Sequence, residues 1–272
     1  MSNHASSARS TIVRGGWSSP ATWTCIVGGL AVLVVWGAYE LRRDEPLVDL
    51  RSTARRPVLL TNVVAVLVGF GMMAQSIVVP QLLEMPEATG YGLGQTLLEA
   101  GLWMAPGGLR MMLMAPVSSR LITTIGAKVT LAIGAGVIGV GYLVALFMMS
   151  TPWELLIAMC ISCAGVGIGY AAMPTLILEN SPRHEAGSAV GVNTLARSVG
   201  TTIAGAVMAT LLTSQTMALA PGTPGIPTGD AFRLCFLFGA AAAIGGGLLA
   251  LTIGRRDRPT DHEPGLELVA QS

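Results

Sequence analysis

The sequence predicts an all-α integral membrane protein with seven transmembrane helices, and three observations carry that prediction. Seven stretches, near residues 22–41, 57–83, 97–117, 129–150, 155–178, 190–214 and 232–254, are apolar and nearly free of charge. At 1.5 Å per residue a helix of roughly 20 residues crosses the roughly 30 Å hydrocarbon layer, so each is long enough to span it. The composition is that of a membrane protein, with 52% hydrophobic and only 11% charged residues and a mean hydropathy of +0.64; soluble domains carry roughly 25% charged residues. Finally, the basic residues between the spans fall in alternate loops.

Along the chain, residues 1–21 are polar and Ser-rich with no apolar core of a signal sequence, a composition that suits an internal loop of a longer chain. The first span, 22–41, leads into a basic stretch, 42–56, holding Arg42, Arg43, Arg51, Arg55 and Arg56. The second span contains Asn62 and Gln75, and the third contains Arg110. Arg120 and Lys128 lie between the third and fourth spans, Arg183 follows the fifth, and Arg255, Arg256 and Arg258 follow the seventh. Loops 84–96, 151–154 and 215–230 contain no Lys or Arg. The positive-inside bias therefore places the first set of loops and the C-terminus in the cytoplasm, and an odd span count places the N-terminus outside. The net charge of +1 excludes no partner, because 16 basic and 15 acidic residues nearly cancel.

Glycine is abundant, 34 in all, and clusters at Gly134, Gly136, Gly139 and Gly141 and at Gly165, Gly167 and Gly169. In lipid such small residues let helix backbones approach closely, so the clusters are expected to be packing seams. Gly134, Gly136 and Gly139 also match a dinucleotide fingerprint, but that motif needs a strand before it and a βαβ unit around it, whereas here it lies within an apolar helix. Cys160 and Cys163 form a C-x-x-C without a second pair, and His occurs only at 4, 184 and 262, outside the spans. A zinc site has no ligand set, and the cysteines are expected to pack as small residues. With no H-E-x-x-H, no G-x-S-x-G and no His within a span, nothing points to an enzyme, a cofactor or a nucleic-acid partner.

Charges within spans are the functional candidates, because an ionised group at the bilayer centre costs at least roughly 2.5–3.5 kcal/mol. Glu99, Trp103, Gly107, Arg110 and Met114 follow at helical spacing, opposite Leu98, Leu102, Leu109 and Leu113. That split implies a face turned to a water-filled cavity or the bundle interior; Arg110 either lines a substrate pathway or caps carbonyls and snorkels. In the sixth span Asn193, Arg197, Thr201 and Ala204 share a face, with Arg197 about 15 Å along a helix beginning near Gly187. Arg197 either contacts substrate or forms an interhelical clamp. Gln75 and Asn62 either line the cavity or bond across helices. Arg233, at the outer end of the last span, is expected to snorkel. All 15 Asp and Glu fall in loops, tails or helix ends, so the spans hold no mid-membrane proton carrier.

Several motifs carry a resemblance. Gly16-Trp17-Ser18-Ser19-Pro20 and Glu45-Pro46-Leu47-Val48-Asp49-Leu50 flank the first span; Gly90-Tyr91-Gly92 runs through Glu99-Ala100-Gly101 to Pro106-Gly107. Ala115-Pro116 through Arg120 and Gly126 to Lys128, and Ser181-Pro182-Arg183 through Gly191 and Asn193 to Arg197 and Gly200, follow in order. In this order and placement they resemble the C-terminal portion of a 14-spanner drug:proton antiporter of the major facilitator superfamily, over about residues 16 to 258. The resemblance implies one linker helix (22–41), a basic cytoplasmic loop (42–56), the six-helix C-terminal half of the fold (57–254) and a cytoplasmic tail (255–272). It implies a proton-coupled exporter of drug-like or amphipathic small molecules in the plasma membrane, working by rocker-switch alternating access, with the proton-coupling acids in a missing N-terminal half. The fragment alone is then expected to be inactive; the alternative is a non-transporting truncated fragment or accessory membrane protein. Arg110, Trp103, Gln75, Asn193 and Arg197 are the expected cavity wall, and Arg120, Gly126 and Lys128 the cytoplasmic gating loop. This copy lacks the Asp that often precedes the first Arg of that loop.

Overall fold

The computed structural model describes residues 19–43, 54–181, 185–218 and 225–254, and its regular structure is helical apart from one two-residue β pairing. The segment 1–18, most of the basic stretch 42–56, Arg183 with His184, and the tail with Arg255, Arg256 and Arg258 lie outside the described residues. The helices are α1 (Pro20–Glu40), α2 (Arg56–Glu84), α3 (Leu97–Leu113), α4 (Ala115–Ile125), α5 (Ala127–Phe147), α6 (Pro152–Asn180), α7 (Ala186–Ser214) and α8 (Gly229–Leu251). Six of them, all but α3 and α4, are long and apolar enough to cross a membrane. The chain divides into two compact units, 1–53 and 54–272. The first contributes α1, beyond whose end Arg43 lies over the Tyr39 ring and donates to its hydroxyl.

The expected third span, 97–117, is the one segment that departs from a single helix. Helix α3 has 17 residues, and α4 follows after Met114, whose backbone stays near the helical region at φ −83°, ψ −9°. Pro116 lies in the first turn of α4. Its missing N–H and its ring disfavour an unbroken helix through Met114 and Ala115, so the helix is interrupted there while the chain remains helical on both sides. At the far end of α4, Gly126 takes φ +85°, ψ 158°, a conformation open essentially only to glycine. It terminates α4 and starts α5 without an intervening loop.

Helices α2 to α8 form one bundle. In it α5 packs on α6 and α8, α2 on α7 and α8, and α3 on α6. Its core comprises Val64, Val68, Val78 and Leu82 of α2, Leu131, Ile138 and Tyr142 of α5, Met173 and Leu176 of α6, and Phe232 and Phe236 of α8. Tyr142, wholly buried, donates its hydroxyl hydrogen to the Gly71 carbonyl, which satisfies the one polar atom its ring brings inside. Lipid supplies no hydrophobic drive between helices, so their association depends on close van der Waals packing. Glycine allows it: a side-chain carbon on Gly134 would lie 2.6 Å from the Gly169 nitrogen, and one on Gly165 2.6 Å from the Gly134 oxygen. Two of the fingerprint-like glycines thus belong to helix contacts, Gly134 against α6 and Gly139 against Ile244 of α8, while Gly136 has open space at its side-chain position.

The two ends of the bundle are built differently. α3, α6 and α8 each begin with a threonine cap, at Thr96, Thr151 and Thr228, followed by an acidic residue, Glu99, Glu154 or Asp230, in the first turn. Thr96 with Glu99 and Thr151 with Glu154 form reciprocal capping boxes, and the carboxylates sit where the helix dipole favours negative charge. The starts of α2, α5 and α7 have no side-chain cap; Arg55 and Arg56 lie at the start of α2, Lys128 in the first turn of α5 and Arg120 midway along α4. At the capped end, loop 85–96 is held by Gly94 and Gln95 donating to Met85 and Leu83, and by Tyr91 donating to Pro227 and packing on Phe232. Burial raises the pKa of that tyrosine above its ordinary value.

Candidate functional site

The residues expected to line one cavity do not share one surface. On α3 the buried stripe runs through Ala100 and Gly107, with Trp103 and Met104 partly covered beside it. A side-chain carbon at Gly107 would meet Met159 and, at 3.2 Å, the Cys163 sulfur, so this stripe is closed by α6. Arg110 lies at the edge of that stripe and is exposed. It is 13 residues beyond Leu97, about 20 Å into the helix at 1.5 Å per residue. Leu98, Leu102, Leu109 and Leu113 are exposed as well. The amphipathic division is present, but its polar side splits into a part that packs and a guanidinium that does not.

Trp103 is anchored near the capped end. Its indole N–H donates to the Gln95 side-chain oxygen at 2.9 Å, and its ring meets Trp153 edge to face with centroids 4.7 Å apart. Gln75 lies on the buried side of α2 with Gly71, Val78 and Leu82, while Leu59, Val63 and Met73 on other sides are exposed. It therefore faces the interior of this bundle. Asn193 is buried in the α2–α7 interface, donating to the Asn62 side-chain oxygen at 3.1 Å, so Asn193, expected in the cavity wall, and Asn62, expected either there or bonding across helices, pair with each other. Beside them Gly69 and Gly200 bring the backbones of α2 and α7 together, Gly69 against Arg197 and Gly200 against Val66.

Arg197 is different. Its backbone is part of that close contact, but its guanidinium lies over the Tyr170 ring of α6, 4.3 Å from the centroid. Tyr170 is 11 residues before Ser181 and Arg197 is 11 beyond Ala186, so both lie about 16 Å from the turn joining their helices, near mid-span. Tyr170 remains 37% exposed beneath it. A guanidinium has five N–H donors, and Arg197 uses none of them on a described residue. Next to it the outward surface of α7 divides in two. Gly191, Thr194, Ser198 and Thr202 form a polar strip, and Leu195, Val199 and Ile203 form an apolar one. The strip's hydroxyls are turned onto their own helix, as Thr194 to Val190 and Ser198 to Thr194.

At the basic end Arg120 is exposed on α4 and Lys128 half-buried in the first turn of α5, on either side of Gly126. The turn is attached to the bundle by Ser118, whose hydroxyl donates to the Ile168 carbonyl at 2.7 Å and is fully buried. Arg233 pairs with Asp230 at 3.4 Å, both exposed, so the expected snorkelling cation also has a carboxylate beside it. The described carboxylates of α2, α3, α6 and α8, namely Glu84, Glu99, Glu154, Glu179 and Asp230, all lie in terminal turns. Tyr170, Tyr142 and Ser118 are the structural residues that sequence reasoning passed over. For Tyr170 a signal exists: in an antiparallel helix pair joined by a short turn, residues equidistant from the turn meet.

Comparison with known proteins gives a consistent picture. The sequence model of the Major Facilitator Superfamily matches residues 8–205. The chain is 28% identical over 205 residues to the lincomycin resistance protein LmrB of Bacillus subtilis strain 168, covering 72% of this chain and 41% of that protein. It is 27% identical over 205 residues to the multidrug resistance protein Stp of Mycobacterium tuberculosis H37Rv, covering 72% and 36%. It is 28% identical over 207 residues to a probable actinorhodin transporter of Streptomyces coelicolor, covering 72% and 34%. The chain thus spans less than half the length of each of these relatives.

Proposed function

We propose a function from the premise that this chain belongs to the major facilitator superfamily: it is the C-terminal part of a 14-span exporter of drug-like or amphipathic small molecules. It is a multi-pass membrane protein of a transporter family, not of an enzyme family. In our reading α1 is the second linker helix and α2 to α8 form the C-terminal half, and the basic end faces the cytoplasm of a plasma-membrane protein. A second, N-terminal half covers the outward faces of α3 and α7, substrate enters between the halves, and the two rock about it.

One observation carries the reading. Two helices of the bundle expose polar groups away from its capped end, Arg110 in the last turn of α3 and Thr194 and Ser198 on α7, with Arg197 half-exposed beside them. An exposed cation is costly against lipid and is suited to a water-filled interface. The terminal placement of the described carboxylates supports a proton carrier in the other half, and Arg120, Gly126 and Lys128 then gate the cytoplasmic side. Arg110 and Arg197 remain our residues for the cavity wall, with Trp103 at its outer rim; Gln75 and Asn193 contribute through packing.

The test is efflux from a host lacking its own exporters, with the chain expressed alone and together with an N-terminal half on a separate polypeptide. Proton-dependent efflux is expected only with both. Efflux by the chain alone overturns the claim of dependence, and none with either arrangement, at normal abundance of both polypeptides, overturns the exporter.

A further inference from the structure

We propose that the Arg197–Tyr170 pair is a subsite for anionic aromatic groups, so that this half of the exporter favours organic acids over lipophilic cations. The inference rests on the exporter reading and adds to it the substrate class. The guanidinium stacks on Tyr170 from α6 at 4.3 Å, an attraction that fixes its position without using its N–H donors. Because none of its N–H donors is used on a described residue, the guanidinium is free to hold a carboxylate or sulfonate through two parallel hydrogen bonds. The exposed part of the Tyr170 ring adjoins it, and an aromatic body attached to the acid would lie there.

Electrostatics favours the anion. Arg110, in the last turn of α3, adds a second exposed cation to the same half, and among the described residues neither arginine has a carboxylate partner. The carboxylates of the neighbouring helices are at their ends: Glu179 of α6, nine residues from Tyr170, is about 14 Å along the helix. A lipophilic cation entering here would find the ring face already occupied by a guanidinium and no negative charge to meet. An anion would relieve the uncompensated positive charge in a region of low dielectric, where such attraction is strongest.

The full-length chain in lipid nanodiscs is titrated with two probes of similar shape and opposite charge, 2-naphthoate and trimethyl(2-naphthylmethyl)ammonium, against empty discs. We expect naphthoate to bind about tenfold more tightly than the ammonium probe, the scale of charge-assisted hydrogen bonds. Arg197→Gln should abolish the preference, Arg197→Lys should keep part of it, and Tyr170→Leu should weaken naphthoate about fivefold by removing the ring. Helix content and thermal unfolding, measured for every variant, separate lost binding from lost fold; a variant that fails to fold is replaced by Arg197→Met or Tyr170→Met. Equal affinity for the probes, binding of neither, or a naphthoate preference that survives Arg197→Gln overturns the subsite. Efflux restored by the complementing half alongside indifferent probe binding defeats this assignment alone, while Arg197-dependent naphthoate binding in a chain that never supports efflux defeats the exporter alone.

Discussion

The seam between α5 and α6 and the outward faces of α3 and α7 are opposite solutions to the same solvent. In the seam, Gly134, Gly141, Gly165 and Gly169 replace side chains with backbone contact, and Ser162 is buried with its hydroxyl directed at the Ile138 carbonyl. On the outward faces the side chains are long and several are cationic or hydroxylated, and α3 buries only Ala100 and Gly107. Lipid rewards close packing and penalises exposed polarity. The seam meets both demands within the chain. The exposed Arg110 meets neither, and that is the contrast which the second half we propose would resolve.

The largest expected effect breaks the seam. Gly134→Leu forces a branched side chain into the Gly169 backbone, where overpacking costs about 3 kcal/mol or more. Folded protein recovered from the membrane should fall severely. Gly136→Leu, two residues away, has open space at its side-chain position and should leave yield and unfolding temperature near the wild type. Equal tolerance of both substitutions would show that the seam is not the close contact described here.

The spans were legible because length, apolarity and charge placement can be read along one dimension. Orientation about the helix axis was much less so. α2 is apolar on every side, so no periodicity told which side faces its neighbours, and Gln75 proved to lie with the core. On α3 the leucine side was plain from spacing, yet Arg110 and Gly107, three residues apart, separate into exposed and buried because α6 covers only part of the polar side. The interruption at Met114 was present in the sequence as Pro116 but hidden by the continuous apolarity around it. Asn62 and Asn193 are 131 positions apart, and only the parallel packing of α2 on α7 brings them together. Tyr170 went unnoticed for a related reason: an aromatic residue in an apolar helix looks like core until the α6–α7 register puts an arginine over it.

Intermediate effects belong to contacts that hold the bundle together without filling its seam. Thr151→Ala removes the capping box that starts α6 and should lower stability by about 1 kcal/mol, seen as a lower unfolding temperature in detergent. Thr151→Ser should restore most of it; failure to do so would assign the loss to the methyl group instead of the hydrogen bond. Asn193→Ala should cost less, about 0.6 kcal/mol, the average for a polar bond between membrane helices. Combining it with Asn62→Ala should cost little more than either alone. Additive losses in that double-mutant cycle would mean that the two amides act independently.

The smallest effect on stability is the most informative about the outward faces. Arg110→Leu removes an exposed cation with no partner among the described residues, so abundance and unfolding temperature of the chain should stay within about 0.5 kcal/mol of the wild type, as for surface positions. Were Arg110 instead clamping helices within this half, its loss would leave buried groups unpaired and destabilise the chain by several times that amount. With the complementing half present, the same substitution should change turnover or substrate range while abundance holds, because the guanidinium then borders the space between halves. A neutral effect on both folding and transport would remove Arg110 from the cavity wall, while a large folding loss in the isolated chain would place it inside the bundle, on the seam side of the comparison.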